Sequence, residues 1–144
     1  KRLEQERRIV QITGGSYGSS TLTWKRFGFV SEFGKSEGSL EKNNLTHYSI
    51  IEIISAVGLR EEGAALGHCV GSYVGACSSG RSAIFSLRQK THGFSERLVT
   101  IEVNRGTMSI VQVRGNRNRA ATKKEHLLIT EWANKNELKL SRWI

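Results

Sequence analysis

Three groups of residues in this chain have types and spacing suited to chemistry. The first is the segment QVRGNRNR at 112–119. Gly115 lets the backbone turn, and Arg114, Arg117 and Arg119 set three guanidiniums beside Asn116 and Asn118. Guanidinium grips phosphate through two parallel hydrogen bonds, and carboxamides hydrogen-bond bases or ribose. The same composition also makes an ordinary basic turn with no ligand. The second group centres on His68, whose imidazole can act as acid or base near neutral pH. It sits where glycine recurs at 63, 67, 71 and 75. Each glycine costs a helix ~1 kcal/mol against alanine, and close approach of a backbone or a ligand would explain four of them. The plainer alternative is a histidine that hydrogen-bonds neighbouring elements. The third group is a row of polar residues at one phase of three strands: Ser86 and Arg88, Thr100 and Glu102, Gln112 and Arg114. Left open, they make a solvated sheet face with an Arg–Glu cross-strand pair; covered by a helix, they line a site.

These residues need elements to hold them. Ala83–Gln89, Leu98–Asn104 and Ser109–Arg114 alternate in polarity and read as an antiparallel meander, joined through KTHGFSER and RGTM. Its apolar phase carries Phe85, Leu87, Val99, Ile101, Val103, Val111 and Val113. Arg60–Ser79 reads as one helix, with Leu66, Cys69, Val70, Tyr73, Val74 and Cys77 on its core stripe and Gly80 as its stop. Thr122 caps a helix running to about Asn136, with Leu127, Leu128 and Trp132 inward. A helix is also expected from Thr46 to Val57, on apolar residues at 50, 51, 53, 54 and 57. Upstream, 9–12 and 22–30 read as strands, 14–20 as a turn and 31–44 as a loop, and Trp143 is expected to pack back on the core. The fold class is α+β: an antiparallel sheet of at least three strands packed against helices.

Composition narrows the function classes. The chain has 144 residues, enough for a single domain. All 13 acidic residues are glutamate, which weakens any reading built on aspartate clusters around magnesium or on a Ser-His-Asp triad. No apolar run approaches the ~20 residues of a membrane span. Two cysteines, Cys69 and Cys77, are too few for a disulfide scaffold, and the expected compartment is cytoplasmic. Both fall on the core stripe, about 12 Å apart along a helix, and are expected to be reduced and buried. With His68 they lack zinc spacing and a fourth ligand, so neither metal nor cofactor is expected. Net charge is +9 and unevenly spread: residues 1–72 hold nine Lys/Arg against eight Glu, residues 73–144 thirteen against five. A basic half favours phosphate-bearing partners.

The blocks EEGAALGHCVGSY (61–73), AIFSLR (83–88), VTIEV (99–103) and IVQVRGNRN (110–118) together resemble the PcfJ-like family. The resemblance runs over about residues 46–135. It implies a bacterial mobile-element setting, on conjugative plasmids and phages, and a polar signature at His68, Cys69, Tyr73, Arg88, Glu102, Gln112, Arg114, Gly115 and Asn118. Family members are often longer, with this domain near the end, which agrees with a chain that opens on Lys. The expected organisation is an unmatched 1–45, a core at 46–137 and a tail at 138–144. The leading function is a nucleic-acid-directed domain. Tyr73, Arg88, Gln112, Asn116, Arg117, Asn118 and Arg119 bind in this reading. His68 acts as acid or base, Glu102 positions a nucleophile and Arg114 holds negative charge. An enzyme acting on a nucleotide-type small molecule, or a non-catalytic accessory protein, are the alternatives.

Overall fold

Six strands lie side by side in the order in which the chain makes them. The computed structural model describes residues 21–68 and 73–141. Strands β1 (Phe33–Glu37), β2 (Thr46–Ile53), β3 (Ser82–Thr91), β4 (Phe94–Asn104) and β5 (Ser109–Gly115) are antiparallel. The two-residue β6 (Lys139–Leu140) adds parallel to β5. Helices α1 (Ala56–Leu66) and α2 (Tyr73–Ser78) lie between β2 and β3 in the chain, and α3 (Lys123–Lys135) follows β5. The architecture is α+β, as the alternating segments imply. No helix among the described residues is long and apolar enough to cross a membrane.

Period-two alternation gives the sheet two covered faces. Ile50, Phe85, Leu87, Val99, Ile101, Val103 and Val113 share one face with Leu128, Ile129, Trp132 and Ala133 of α3. Trp132 meets Phe85 at 4.8 Å between ring centroids, and its indole N–H donates to Ser31 O at 2.8 Å. Burying each such side chain contributes roughly 1.5–3 kcal/mol. The other face meets α1 and α2 through Ile53, Ile84, Leu59 and Cys77, with Trp24 closing the cluster.

Several local expectations are corrected. Thr46–Val57 is not a helix: β2 takes Thr46–Ile53, because the β-branched isoleucines at 50, 51 and 53 and Tyr48 suit a pleated surface better than a helix. The loop expected at 31–44 contains β1, and residues 22–30 contribute only a bridge, Thr23 to Ser55. KTHGFSER is no loop: β3 and β4 run to a two-residue turn at His92–Gly93, both with positive φ (53° and 81°). That geometry matches the sheet's twist and suits glycine at the second position. A bulge between Glu102 and Val103 puts Ile110 in the core in place of Val111, which is exposed. Leu127 also faces solvent, leaving Leu128, Ile129 and Trp132 as the buried stripe of α3. Cys77 is buried, and burial pushes its thiol up to about 12. Cys69, Gly71, Trp143 and the strand and turn expected at 9–20 lie outside the described residues.

Candidate functional site

The expected Arg60–Ser79 helix is interrupted, and the interruption makes the site. Ser55 caps α1, accepting from Gly58 N–H at 2.9 Å. After eleven helical residues Gly67 takes the left-handed conformation (φ 63°) and ends the helix. The Gly67 and His68 N–H groups both donate to Gly63 O. A Cβ on Gly67 would lie 3.5 Å from Asn116 Oδ1 and 3.6 Å from Arg117 Cγ. These are ordinary contact distances, so Gly67 is required by its left-handed φ and not by crowding, and a Cβ at Gly75 would meet open space. His68 thus leaves the helix axis and turns toward the sheet, where its Nε2 meets Thr100 Oγ1 at 3.0 Å.

Thr100 leads to a carboxylate outside the residues that type and spacing single out. Glu62, fully buried on the underside of α1, accepts from Ser86 Oγ at 2.8 Å, Arg97 Nη1 at 2.8 Å and Thr100 Oγ1 at 2.6 Å. The signal was present: Glu62 occupies the same stripe as Leu59 and Leu66, at i+3 and i+7, a charged residue among core positions. Buried charges are paired or cost several kcal/mol, so the sheet beneath must supply partners. It does so with Ser86 and Thr100, which face each other across β3 and β4.

The proton count fixes a tautomer. Thr100 has one hydroxyl proton, and it goes to Glu62 Oε2. Thr100 Oγ1 then accepts from His68, so His68 Nε2 carries the hydrogen, and in the neutral imidazole Nδ1 presents a lone pair. Among the described residues none donates to Nδ1.

Arg88 and Arg97 pair directly across β3 and β4, next to a bulge at Leu87/Arg88. Like charges opposite each other are unfavourable. Both lie within 4 Å of Glu62, Arg97 at 2.8 Å and Arg88 at 3.9 Å, with side chains 22% and 25% exposed. Burial lowers the Arg88 affinity for its proton, and Arg97 lowers it further. Arg88 Nε donates to Ser86 Oγ at 3.1 Å. Arg97 also comes within 3.8 Å of Glu61, an exposed carboxylate that water screens. Two half-buried guanidiniums therefore share one buried carboxylate.

The other expected residues fall around this centre. Tyr73, at the start of α2, donates its phenol O–H to Gln112 Oε1. Gln112 sits opposite Glu102 across β4 and β5, and Glu102 accepts from Ser82 Oγ at 3.0 Å. Arg114, opposite Thr100, turns its Nη1 to Val113 O at 2.9 Å and makes no ion pair with Glu102. Asn116–Asn118 form a short 3₁₀ turn in which Arg117 and Asn118 take positive φ (52° and 64°) and are exposed. Arg119 is engaged elsewhere: Nη1 and Nη2 grip Glu125 at 2.8 and 2.9 Å, and Nη2 also reaches Leu98 O at 3.2 Å. Its guanidinium ties the turn to the first turn of α3. No group of three His, Cys or Glu among the described residues has the arrangement of a metal site.

The domain is thus a six-stranded, largely antiparallel sheet with a helix-covered polar centre. Residues 33–129 match the family described as PcfJ-like protein. The chain belongs to the PcfJ-like family, and the match begins within the expected unmatched region, at the start of β1. No curated protein and no solved structure matches the chain.

Proposed function

We propose that this domain binds the phosphate backbone of nucleic acid across Arg88, Arg97 and the Asn116–Asn118 turn, with His68 as its acid–base group. The observation that carries the reading is the chain His68–Thr100–Glu62 set beside two guanidiniums that share one carboxylate. A phosphate relieves the Arg88–Arg97 repulsion and offers each guanidinium a further, charged acceptor. His68 Nδ1 can take a proton from an attacking hydroxyl or return one to a leaving group, while the guanidiniums hold the charge that develops on phosphorus-bound oxygens. The charge-holding role expected of Arg114 passes to Arg88 and Arg97 in this reading. Glu102 and Gln112 flank the centre, with Tyr73 as their link to α2. Arg117 and the carboxamides of Asn116 and Asn118 extend the contact, and Arg119 braces the turn. In this reading the polymer is nucleic acid of a bacterial mobile element, plasmid or phage DNA or its transcripts, the setting that the resemblance implies.

The test is the salt dependence of binding to a fluorescein-labelled oligonucleotide. Arg88→Gln and Arg117→Ala should each weaken affinity and flatten the log–log salt slope by about 0.7–0.9. His68→Ala should keep affinity and lose turnover of the phosphodiester. Absence of binding at low salt, or slopes unchanged in both arginine variants, overturns the reading. Saturable binding of mononucleotides without affinity for the polymer would transfer the site to a small-molecule enzyme.

A further inference from the structure

We infer that Phe29 and Arg105, at the far end of β4 from the turn at His92–Gly93, form a stacking site for an unpaired base of single-stranded nucleic acid. This rests on the phosphate-binding reading above and names its substrate class. Phe29 is 80% exposed, and its ring stands edge-on to Phe27 at 5.8 Å. Phe27 is buried, and its N–H donates to both oxygens of Glu52 at 2.9 and 3.0 Å. The base of the aromatic pair is therefore fixed. Arg105 lays its guanidinium over the Phe27 ring, with Cζ 4.6 Å from the centroid. The side chain of Arg105 makes no hydrogen bond or ion pair among the described residues, so its contact with the Phe27 ring leaves its donors without a partner there. Gly80, Gly106 and Met108 complete an open depression of about 490 Å³. A Cβ at Gly80 would come 3.4 Å from Arg105 Nη1, so a larger residue there would crowd the guanidinium.

A lone exposed phenylalanine needs no explanation. This one shares a depression with Arg105, whose side chain has no acceptor among the described residues, and the Arg105 N–H donates to the carbonyl of the exposed Arg81 at 2.9 Å. Aromatic face and free guanidinium together are what a base with its adjoining phosphate requires: the ring stacks on the π-face, and the cation takes the phosphate. Glu52, beneath the aromatic pair, is buried and accepts from the Phe27 N–H, so it presents no carboxylate at the surface of the depression. Thr100 and Arg105 lie five residues apart on and beyond β4, roughly 16 Å at strand rise, a distance that a few nucleotides of extended single strand cover. In a duplex the bases are stacked on each other and unavailable to Phe29.

The experiment titrates the wild-type chain, Phe29→Ala, Phe29→Trp and Arg105→Gln with labelled single-stranded oligothymidylate and with a duplex of equal length. Phe29→Ala should weaken single-strand binding about tenfold with an unchanged salt slope. Phe29→Trp should retain it, and Arg105→Gln should lower both affinity and slope. The duplex should bind these variants as it binds wild type. Phe29 is largely exposed and meets the core only through its edge contact with Phe27, so thermal denaturation of Phe29→Ala should stay cooperative and close to wild type, excluding misfolding. Wild-type single-strand affinity in Phe29→Ala, or an equal loss on duplex, overturns the inference. If Arg88→Gln still flattens the slope in that case, only the stacking site fails. If wild type binds neither probe, the phosphate reading fails and takes this one with it.

Discussion

Glu62 carries the most consequence of any single side chain. Glu62→Gln keeps the shape but removes the charge that Arg97 faces and places an amide where donors converge. Breaking a buried pair costs 3–5 kcal/mol, and the partial exposure of Arg97 places this one nearer 2–3 kcal/mol; urea denaturation measures it. Thr100→Val tests the relay without altering charge. The variant should lose the preference of His68 for hydrogen on Nε2, seen as a tautomer mixture in imidazole ¹⁵N shifts, whereas wild type should show the Nε2–H form. The two arginines of the basic turn should also separate. Arg119→Ala leaves the buried Glu125 without its grip and should cost about 1–3 kcal/mol. Arg117→Ala, at an exposed position, should stay within ~0.5 kcal/mol. In the sequence the two look alike, because composition gives the charge of an arginine and not its partner. The sequence made His68, Arg88 and Gln112 visible through residue type and phase. Glu62 escaped because its meaning depends on which helix face is covered, and the Arg–Glu pair expected of Arg114 went instead to Arg97 and Glu62.

Elements are positioned by their ends. Thr122 accepts from Glu125 N–H while the Glu125 side chain accepts from Thr122 N–H, a reciprocal cap that the order Thr-x-x-Glu announces. Thr122→Ala should cost about 1 kcal/mol, read from the denaturation midpoint. Gly67→Ala meets ordinary contact distances to Asn116 and Arg117, so its cost is conformational, about 1–2 kcal/mol for a left-handed residue. It should also impair His68 function beyond that cost, since the same residue redirects the chain toward Thr100. The stop at Gly67 was hard to read because apolar spacing continues at helical period from Leu66 to Cys77 across it. Likewise 50, 51, 53 and 54 satisfy a helical wheel, and only the density of β-branching marks β2 as a strand. The bulge that replaces Val111 by Ile110 has no residue-type signature, whereas Thr122 and the apolar phase of β3 and β4 were plain.

At the scale of the whole molecule, two buried carboxylates pull stability in opposite directions with pH. Burial favours protonation of Glu125, but the hydrogen bonds from Arg119 and Thr122 outweigh it and hold its pKa below the ordinary value. Its contribution is complete above the unfolded carboxylate pKa and is lost as pH falls through the depressed folded value. Burial raises Glu52 above the ordinary range despite the Phe27 N–H. Its contribution is present below the unfolded pKa and is lost as pH rises through the folded one. Stability of Glu125→Gln should therefore fall less on acidification than that of wild type, and Glu52→Gln should lose less between pH 4 and neutrality, both by urea denaturation across pH. The α+β class and the central meander were legible from alternation alone. That helices cover both faces was not, because the polar phase of β3, β4 and β5 reads equally as solvated until Glu62 is placed above it. The order of the strands has a further consequence during synthesis. Each strand lies beside its chain neighbour, so the sheet can pair progressively as the chain leaves the ribosome, with the β3–β4 hairpin closing in microseconds. Trp132 and its neighbours emerge after β1 to β5, and until then the face of Phe85, Leu87, Val99 and Ile101 lacks the cover of α3. A ribosome stalled before α3 should hold a nascent chain that binds hydrophobic-surface dyes and holdase chaperones, and release past Ala133 should abolish both.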